Sequence, residues 1–302
     1  MRRWWGVLMA GALLFTGACG SSSSDDGATG TEAKQKSPLD AVLASSTKTA
    51  EAKSSKVAFS ILTQGVQGVP GGTITITGEG AFDYVGRQGA FTLNLPAIAG
   101  MQLGQIQAVS TGSTIYEKFP PQLASLLGGK PWVKIDLNAL GQGAGIDFDS
   151  ISQASSSDPT QALQFLRGSG ADMVEVGKEQ VRGEPVTHYR GTIDLNKAAA
   201  AAPPEQQPTY QKLAQLYSQP LPVEVWIDGD SRVRKVTTAV DLARLTLPSQ
   251  ATAGAPAEVK PTGTLTSTTE LFDFGTPVSV TIPPADQVTD LAQLMAAAGR
   301  GR

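Results

Sequence analysis

The sequence predicts an α+β protein built on one strongly curved antiparallel β-sheet, with short helices covering the concave face. Many short runs alternate apolar and polar residues, and tight turns separate these runs. The clearest case is residues 220–242. Val223, Val225 and Ile227 alternate there with Glu224, Trp226 and Asp228, Asp228-Gly229-Asp230-Ser231 supplies a turn, and a second β-rich run follows. This hairpin is too small to be stable alone, so a larger sheet must contain it.

The first residues have the character of a secretory signal. Arg2 and Arg3 precede an apolar run that ends at Phe15. A membrane-spanning helix needs about 20 such residues, and this run is shorter. The only cysteine, Cys19, follows the small residues Gly17 and Ala18.

This arrangement resembles a bacterial lipobox, in which the cysteine carries the lipid, although a leucine usually stands where Thr16 is. We therefore expect residues 1–18 to be a lipoprotein signal peptide and residues 19–36 to be the lipidated Cys19 with a disordered tether. Residues 37–302 would form a single domain. A plain secretory signal is the alternative interpretation.

The folded part begins with a helix over about 38–52, for which Ser37 is the N-cap and Pro38 the first residue. Strand-like runs follow, each bounded by Gly or Pro, and parallel pairing is not expected because no crossover helices fit between them. A second hairpin surrounds Arg182-Gly183. Further predicted elements are helices at about 158–168, 207–218 and 286–298, and strands at 57–61, 73–84, 91–95, 101–110, 114–119, 132–137, 262–274 and 278–282.

Composition excludes several classes of function. A single Cys and a single His exclude internal disulfides and Cys/His zinc sites, and Cys–His catalysis is excluded because the thiol of Cys19 would carry the lipid. Neither a metal nor a cofactor is expected. The formal charge of −3 and the lack of a basic run give no support for nucleic acid as a partner.

The residues that could take part in catalysis, metal binding or ligand contact have simpler interpretations. His188 lacks an accompanying nucleophile motif, so we predict an exposed or half-buried residue of the sheet. Ser45 to Lys48 matches S-x-x-K without its partner motifs and is interpreted as the polar side of the first helix. Asp228 and Asp230 are interpreted as turn residues, because the spaced ligands of a calcium loop are missing. Trp132 and Trp226 are interpreted as packing residues, with ligand contact as the alternative.

Several short motifs resemble the LppX/LprG lipoproteins of actinobacteria, over about residues 38–290. They are the lipobox, the strand around Trp132, Val176-Gly177, Val181-Arg182-Gly183, His188-Tyr189-Arg190-Gly191, Leu221–Asp228 and Phe274–Val278. The resemblance implies a half-barrel like that of the LolA and LolB carriers, with a hydrophobic cavity for acyl chains. Residues 141–157 and 248–261 look longer than the core of that family requires.

The function implied is a non-enzymatic lipoprotein that binds or transfers lipids or glycolipids at the outer side of the cell membrane. It would be a monomer held by its lipid anchor, with an envelope lipid exporter as a further partner. The alternative is an accessory envelope lipoprotein whose core is filled and which binds a protein. We predict that the cavity is lined by Phe59, Ile61, Ile74, Ile76, Phe82, Phe91, Leu93, Ile115, Ile135, Leu213 and Tyr217.

Overall fold

The structure is a computed structural model of the chain. Backbone contacts divide the chain into residues 1–35 and Lys36–Arg302, and the fold described below belongs to the second unit. The residues that the structure describes are 37–65, 72–98, 101–124, 128–139, 172–202, 204, 206–217, 219–246 and 262–294. Cys19, the predicted helix at 158–168 and the segments 141–157 and 248–261 lie outside them.

Four α-helices have defined bounds. They are α1 (Pro38–Glu51), α2 (Pro121–Ala124), α3 (Leu195–Ala201) and α4 (Gln207–Leu216). The predicted cap of α1 is confirmed, since the hydroxyl of Ser37 accepts a hydrogen bond of 3.1 Å from the backbone N–H of Asp40. No helix among the described residues is long and apolar enough to cross a membrane.

The strands join into one sheet. They are β1 (Ser54–Gln64), β2 (Thr73–Asp83), β3 (Gln88–Ile98), β4 (Met101–Thr111), β5 (Thr114–Lys118), β6 (Trp132–Asp136), β7 (Val174–Val181), β8 (Glu184–Ile193), β9 (Leu221–Asp228), β10 (Val233–Asp241), β11 (Thr264–Phe272) and β12 (Val288–Asp290). Their order across the sheet is β12-β6-β5-β4-β3-β2-β1-β11-β10-β9-β8-β7.

The sheet consists of two meanders joined at one seam. Strands β1 to β6 form the first meander and β7 to β11 the second, and β1 pairs antiparallel with β11 between them. The sheet is curved and does not close, which confirms the predicted fold class. The expectation of purely antiparallel pairing is wrong at one place, because β12 pairs parallel with β6. The long chain between these two strands makes that geometry possible.

The core lies where α1 packs on the second meander. Ala41 and Val42 of α1 contact a buried cluster formed by Tyr189, Val225, Ile227 and Val233. The interpretation of Ser45 to Lys48 as a polar surface is wrong for Ser45, which is fully buried and donates to the backbone carbonyl of Val42 at 2.6 Å.

The connection from β11 to β12 differs from its prediction. Residues 278–282 form no strand, and residues 286–290 belong to a 3₁₀ turn and to β12 instead of the start of a helix. Ser279, Thr281 and Ile282 of this connection line a cavity of about 500 Å³, together with Glu79, Gln107, Phe91 and Ala108 of the sheet. An extended segment without ladder partners has the side-chain period of a strand, which explains the wrong assignment.

Candidate functional site: the inner face of the sheet

We call the face of the sheet that contacts α1 the inner face. Residues directly opposite each other on adjacent strands point to the same side of a sheet. Leu271 packs against the same buried cluster as α1, and the register connects it to Val57 on β1, then to Gly80 on β2 and Phe91 on β3. The same row continues through Ala108, Glu117 and Val133 on β4, β5 and β6.

Nine of the predicted cavity residues lie on this inner face. The register pairs Ile61 with Ile76 and Ile115 with Ile135, and it places the others in the same rows. All nine are half-buried. They are Phe59, Ile61, Ile74, Ile76, Phe82, Phe91, Leu93, Ile115 and Ile135.

The two predicted cavity residues from the helical region do not belong to the strands of the first meander. Leu213 is a half-buried residue of α4, and Tyr217 is buried just after that helix. Tyr217 forms an isolated β-bridge with Leu245, beyond the end of β10. The register argument therefore covers the nine strand residues and does not extend to these two.

Glycines on the inner face provide the places where phenyl rings lie. A Cβ atom on Gly80 would lie 2.6 Å from a ring carbon of Phe91, and one on Gly89 would lie 2.7 Å from the same ring. A Cβ atom on Gly78 would likewise overlap the ring of Phe59. The rings thus lie against glycine backbone, and the centroids of Phe59 and Phe91 are 6.3 Å apart in an edge-to-face arrangement.

Small residues stand directly beside the phenyl rings in these rows of the first meander. A glycine in a strand often marks a place where a ligand or another backbone approaches closely. Ala108, directly opposite Phe91, adds another small residue to the same row. The result is an apolar surface across β1 to β6.

The inner face of the first meander contains a carboxylate and a hydroxyl that the sequence interpretation missed. Glu117 lies between Ala108 and Val133, and burial raises the pKa of its carboxyl above the ordinary value. Ser110, in the next row, has a buried hydroxyl oxygen without a hydrogen-bond partner. The alternation of β5 was a sufficient signal, because a residue two positions after Ile115 must share its face.

The charged groups on the outer face form a different kind of cluster. His188 is buried, contrary to the expected exposed or half-buried position, and its ring stacks on Trp226 with centroids 4.2 Å apart. Its Nδ1 lies 2.8 Å from Glu179 and its Nε2 lies 3.0 Å from Glu224. The indole N–H of Trp226 donates to Glu179 at 2.7 Å. These groups bind one another and hold β7, β8 and β9 together.

The turn of the β9–β10 hairpin contains no metal-binding arrangement. Asp228 accepts hydrogen bonds from the backbone N–H groups of Asp230 and Arg232, as the interpretation as a turn residue predicts. Within the described ranges, no group of three or more His, Cys, Asp or Glu side chains could hold a metal ion.

The comparisons with known proteins give one sequence relative and several similar structures. No protein-family model matches the chain. An uncharacterised 31.2 kDa protein of Streptomyces griseus, encoded in the rplA–rplJ intergenic region, is 28% identical over 203 residues. The match covers 65% of this chain and 60% of that relative, so it spans less than two thirds of the relative's length.

The similar solved structures include two mycobacterial lipoproteins. Lipoprotein LppX of Mycobacterium tuberculosis has 16% identity and a TM-score of 0.44, over 80% of this chain and 98% of that chain. LprF of Mycobacterium bovis has 12% identity and a TM-score of 0.38, over 82% and 97%. A LolA superfamily protein of Nitrosomonas europaea has 11% identity and a TM-score of 0.27, over 81% and 96%. The sequence motifs resemble the LppX/LprG lipoproteins, and LppX is among these similar structures.

Proposed function

We propose that this protein is a non-enzymatic, lipid-binding lipoprotein of the cell envelope, with the acyl chains of its ligand lying on the inner face of the first meander. The observation that carries the proposal is the apolar surface across β1 to β6, where phenyl rings lie against glycines. Each buried CH₂ group of an acyl chain contributes about 0.8 kcal/mol, so a long chain binds such a surface without a strong polar anchor.

The proposal includes the anchoring of the chain. Residues 1–18 would be removed as a signal peptide, Cys19 would carry the lipid, and residues 19–36 would separate the domain of residues 37–302 from the outer side of the membrane. An envelope lipid exporter would supply or receive the ligand. In fractionated cells, Cys19→Ser should move the protein from the membrane to the soluble fraction. An unchanged membrane fraction would contradict the assignment of Cys19.

The test of lipid binding is organic extraction of the purified protein followed by mass spectrometry. We expect an acylated lipid in near-stoichiometric amount from the unmodified protein. A chain whose inner face is filled by its own side chains, and which binds a protein partner instead, would yield none.

A matched pair of variants locates the ligand. Leu93→Trp enlarges a side chain on the inner face, directly opposite Gly78 and Ile106. Asn94→Trp places the same indole on the next residue of β3, which is exposed on the outer face. Leu93→Trp should lower the extracted lipid by at least about fivefold, since it occupies ligand volume, and Asn94→Trp should not. Circular dichroism checks that both variants fold, and equal lipid in both would place the ligand elsewhere.

A further inference from the structure

The carboxylate of Glu117 is the one acidic group in the row that crosses the first meander from Val57 to Val133. Its direct neighbours across β4 and β6 are Ala108 and Val133, whose side chains are 7% and 2% exposed. Ile115, two residues earlier on β5, lies on the same face. Glu117 therefore projects from an apolar part of the inner face.

The carboxyl group of Glu117 has no partner in the part of the chain that the structure describes. Among the described residues it has neither a hydrogen bond nor an ion pair, and burial alone raises the pKa of its carboxyl. The hydroxyl of Ser110 is buried and likewise without a hydrogen-bond partner. Ser110 is directly opposite Ile115, which makes it a diagonal neighbour of Glu117 at roughly 7 Å between backbones. A half-buried carboxylate and a buried hydroxyl, both without a partner among the described residues, thus lie at neighbouring positions of an apolar surface.

Buried polar groups are normally satisfied, so the unpartnered hydroxyl of Ser110, next to an ionisable group on the proposed ligand-facing surface, indicates a function. A carboxyl group accepts hydrogen bonds when ionised and also donates one when protonated, and a serine hydroxyl does both. Hydroxyl groups of a ligand can satisfy these partners in either protonation state of Glu117.

An anionic ligand group fits the site poorly. The strand lysines of the first meander, Lys56, Lys118 and Lys134, all lie on the outer face, because each follows or precedes an inner-face residue in its strand. No described strand of this meander places a cation beside Glu117. A phosphate or carboxylate on the inner face would meet a carboxylate without a compensating charge.

We propose that Glu117 and Ser110 form the polar end of the ligand site and select a neutral, hydroxyl-bearing lipid over an anionic one. This inference rests on the proposed lipid-binding function and specifies its ligand class. The hydroxyls could belong to an acylglycerol or to a sugar headgroup, since the shared chemistry is a cluster of uncharged hydrogen-bonding OH groups.

The test uses two ligands with the same acyl chain, monopalmitoylglycerol and palmitoyl lysophosphatidic acid, below their critical micelle concentrations. Each displaces the fluorescent reporter N-phenyl-1-naphthylamine from the delipidated full-length protein. We expect the unmodified protein to bind the glycerol ester at least tenfold more tightly than the phosphate, because only the phosphate opposes the charge of Glu117.

Three variants assign this preference to the two side chains. Glu117→Gln should bind the phosphate more tightly and reduce the preference to less than threefold. Glu117→Leu should weaken the glycerol ester about tenfold, and Ser110→Ala should weaken it severalfold. Glu79→Gln, an exposed outer-face change on β2, should keep the full preference. Because Gln is nearly isosteric with Glu, the Gln variant decides the question if the Leu variant does not fold.

The outcomes separate the inference from the function it rests on. If neither lipid displaces the reporter from the unmodified protein, the proposed lipid-binding function is wrong. If both lipids bind with the same preference in the unmodified protein and in Glu117→Gln, lipid binding stands and the role of Glu117 is wrong. A preference for a separate glycolipid probe over monopalmitoylglycerol, lost in Glu117→Gln, would identify a sugar as the source of the hydroxyls.

Discussion

Two carboxylates, one in each meander, have opposite surroundings. Asp228, at the end of β9, is 9% exposed and accepts hydrogen bonds from the backbone N–H of Arg232 at 2.8 Å and from the side chains of Arg232 at 3.1 Å and Arg234 at 2.7 Å. Glu117, on β5, is half-buried between apolar side chains and has no such donors within the described part of the chain.

Their pKa values shift in opposite directions for this reason. Burial acts to raise the pKa of the Asp228 carboxyl, but the N–H of Arg232, the side chain of Arg234 and the charges of both arginines outweigh it, so the pKa lies below its ordinary value. For Glu117, burial acts alone and the pKa is raised. A carboxylate whose hydrogen bonds are all made within its own chain stabilises the fold. A carboxylate without such bonds is available to a ligand.

The largest expected effect is the loss of Asp228. Asp228→Ala leaves Arg234 and Arg232 without their buried partner and should lower the free energy of unfolding by about 3 kcal/mol. Urea denaturation at neutral pH measures this change. Asp230→Asn is the control: its side chain is 72% exposed, so a loss of less than about 0.5 kcal/mol is expected even though it pairs with Arg232. Equal losses in the two variants would show that burial of Asp228 is irrelevant.

The next effect concerns the packing of a phenyl ring on the inner face of the first meander. Gly78→Val introduces a side chain where the ring of Phe59 lies, and overpacking of this kind should destabilise the protein by about 2 kcal/mol. Adding Phe59→Ala should recover part of the loss, because the cavity left by the ring accommodates the valine. A double-mutant cycle of thermal unfolding measures the coupling, and strictly additive effects would contradict the packing of this ring on Gly78.

The outer-face cluster around His188 lies between the cases of Asp228 and Glu117, because two carboxylates share one imidazole as a hydrogen-bond partner. Hydrogen bonds from Trp226 and His188 lower the pKa of the Glu179 carboxyl below its ordinary value. His188→Ala removes the stacked ring and should lower the free energy of unfolding by about 1.5 kcal/mol. The lipid recovered by extraction should be unchanged, since this cluster lies on the other face of the sheet. Loss of lipid in a folded variant would contradict the separation of the two faces.

The smallest effect is a gain in stability at Glu117. Because the folded-state pKa of this group is raised, its contribution is most favourable when it is protonated at low pH and is lost as the pH rises through the folded-state value. Glu117→Gln should therefore be more stable than the unmodified lipid-free protein at neutral pH, by about 1 kcal/mol, and equally stable at about pH 4. Thermal unfolding at the two pH values tests this, and destabilisation at neutral pH would contradict an unpaired carboxylate.

The periodicity of the sequence predicted the strands of both meanders and nine of the inner-face residues, because alternation determines which side chains share a face. The same rule would have placed Glu117 on the face of Ile115, but the sequence interpretation missed it because a charged residue is not expected in an apolar row. Pairing between distant segments has no local signal, so the antiparallel seam of β1 with β11 and the parallel contact of β12 with β6 were not predictable.

The burial of polar side chains also could not be predicted from the sequence. Ser45 and Thr49 appear as polar residues of α1, yet both are buried, and the hydroxyl of Thr49 accepts from the backbone N–H of Val233 at 2.8 Å. His188 was predicted to be exposed or half-buried, because its stacking partner and its two carboxylates come from two other strands, β7 and β9. Such contacts depend on the tertiary fold and leave no trace in local spacing.

The connectivity of the sheet also dictates when the fold can be completed. The first meander has two flanks, β1 and β6, and both are closed by residues near the other end of the chain: β11 pairs with β1, and β12 pairs with β6. During synthesis the two flanks of the first meander therefore stay without these partners until residues 264–290 have been made, on the order of ten seconds later. Throughout that interval both flanks are unpaired strand edges that can aggregate or be cleaved. Nascent chains that stop before Thr264 should depend on a holding chaperone, and the complete chain should not.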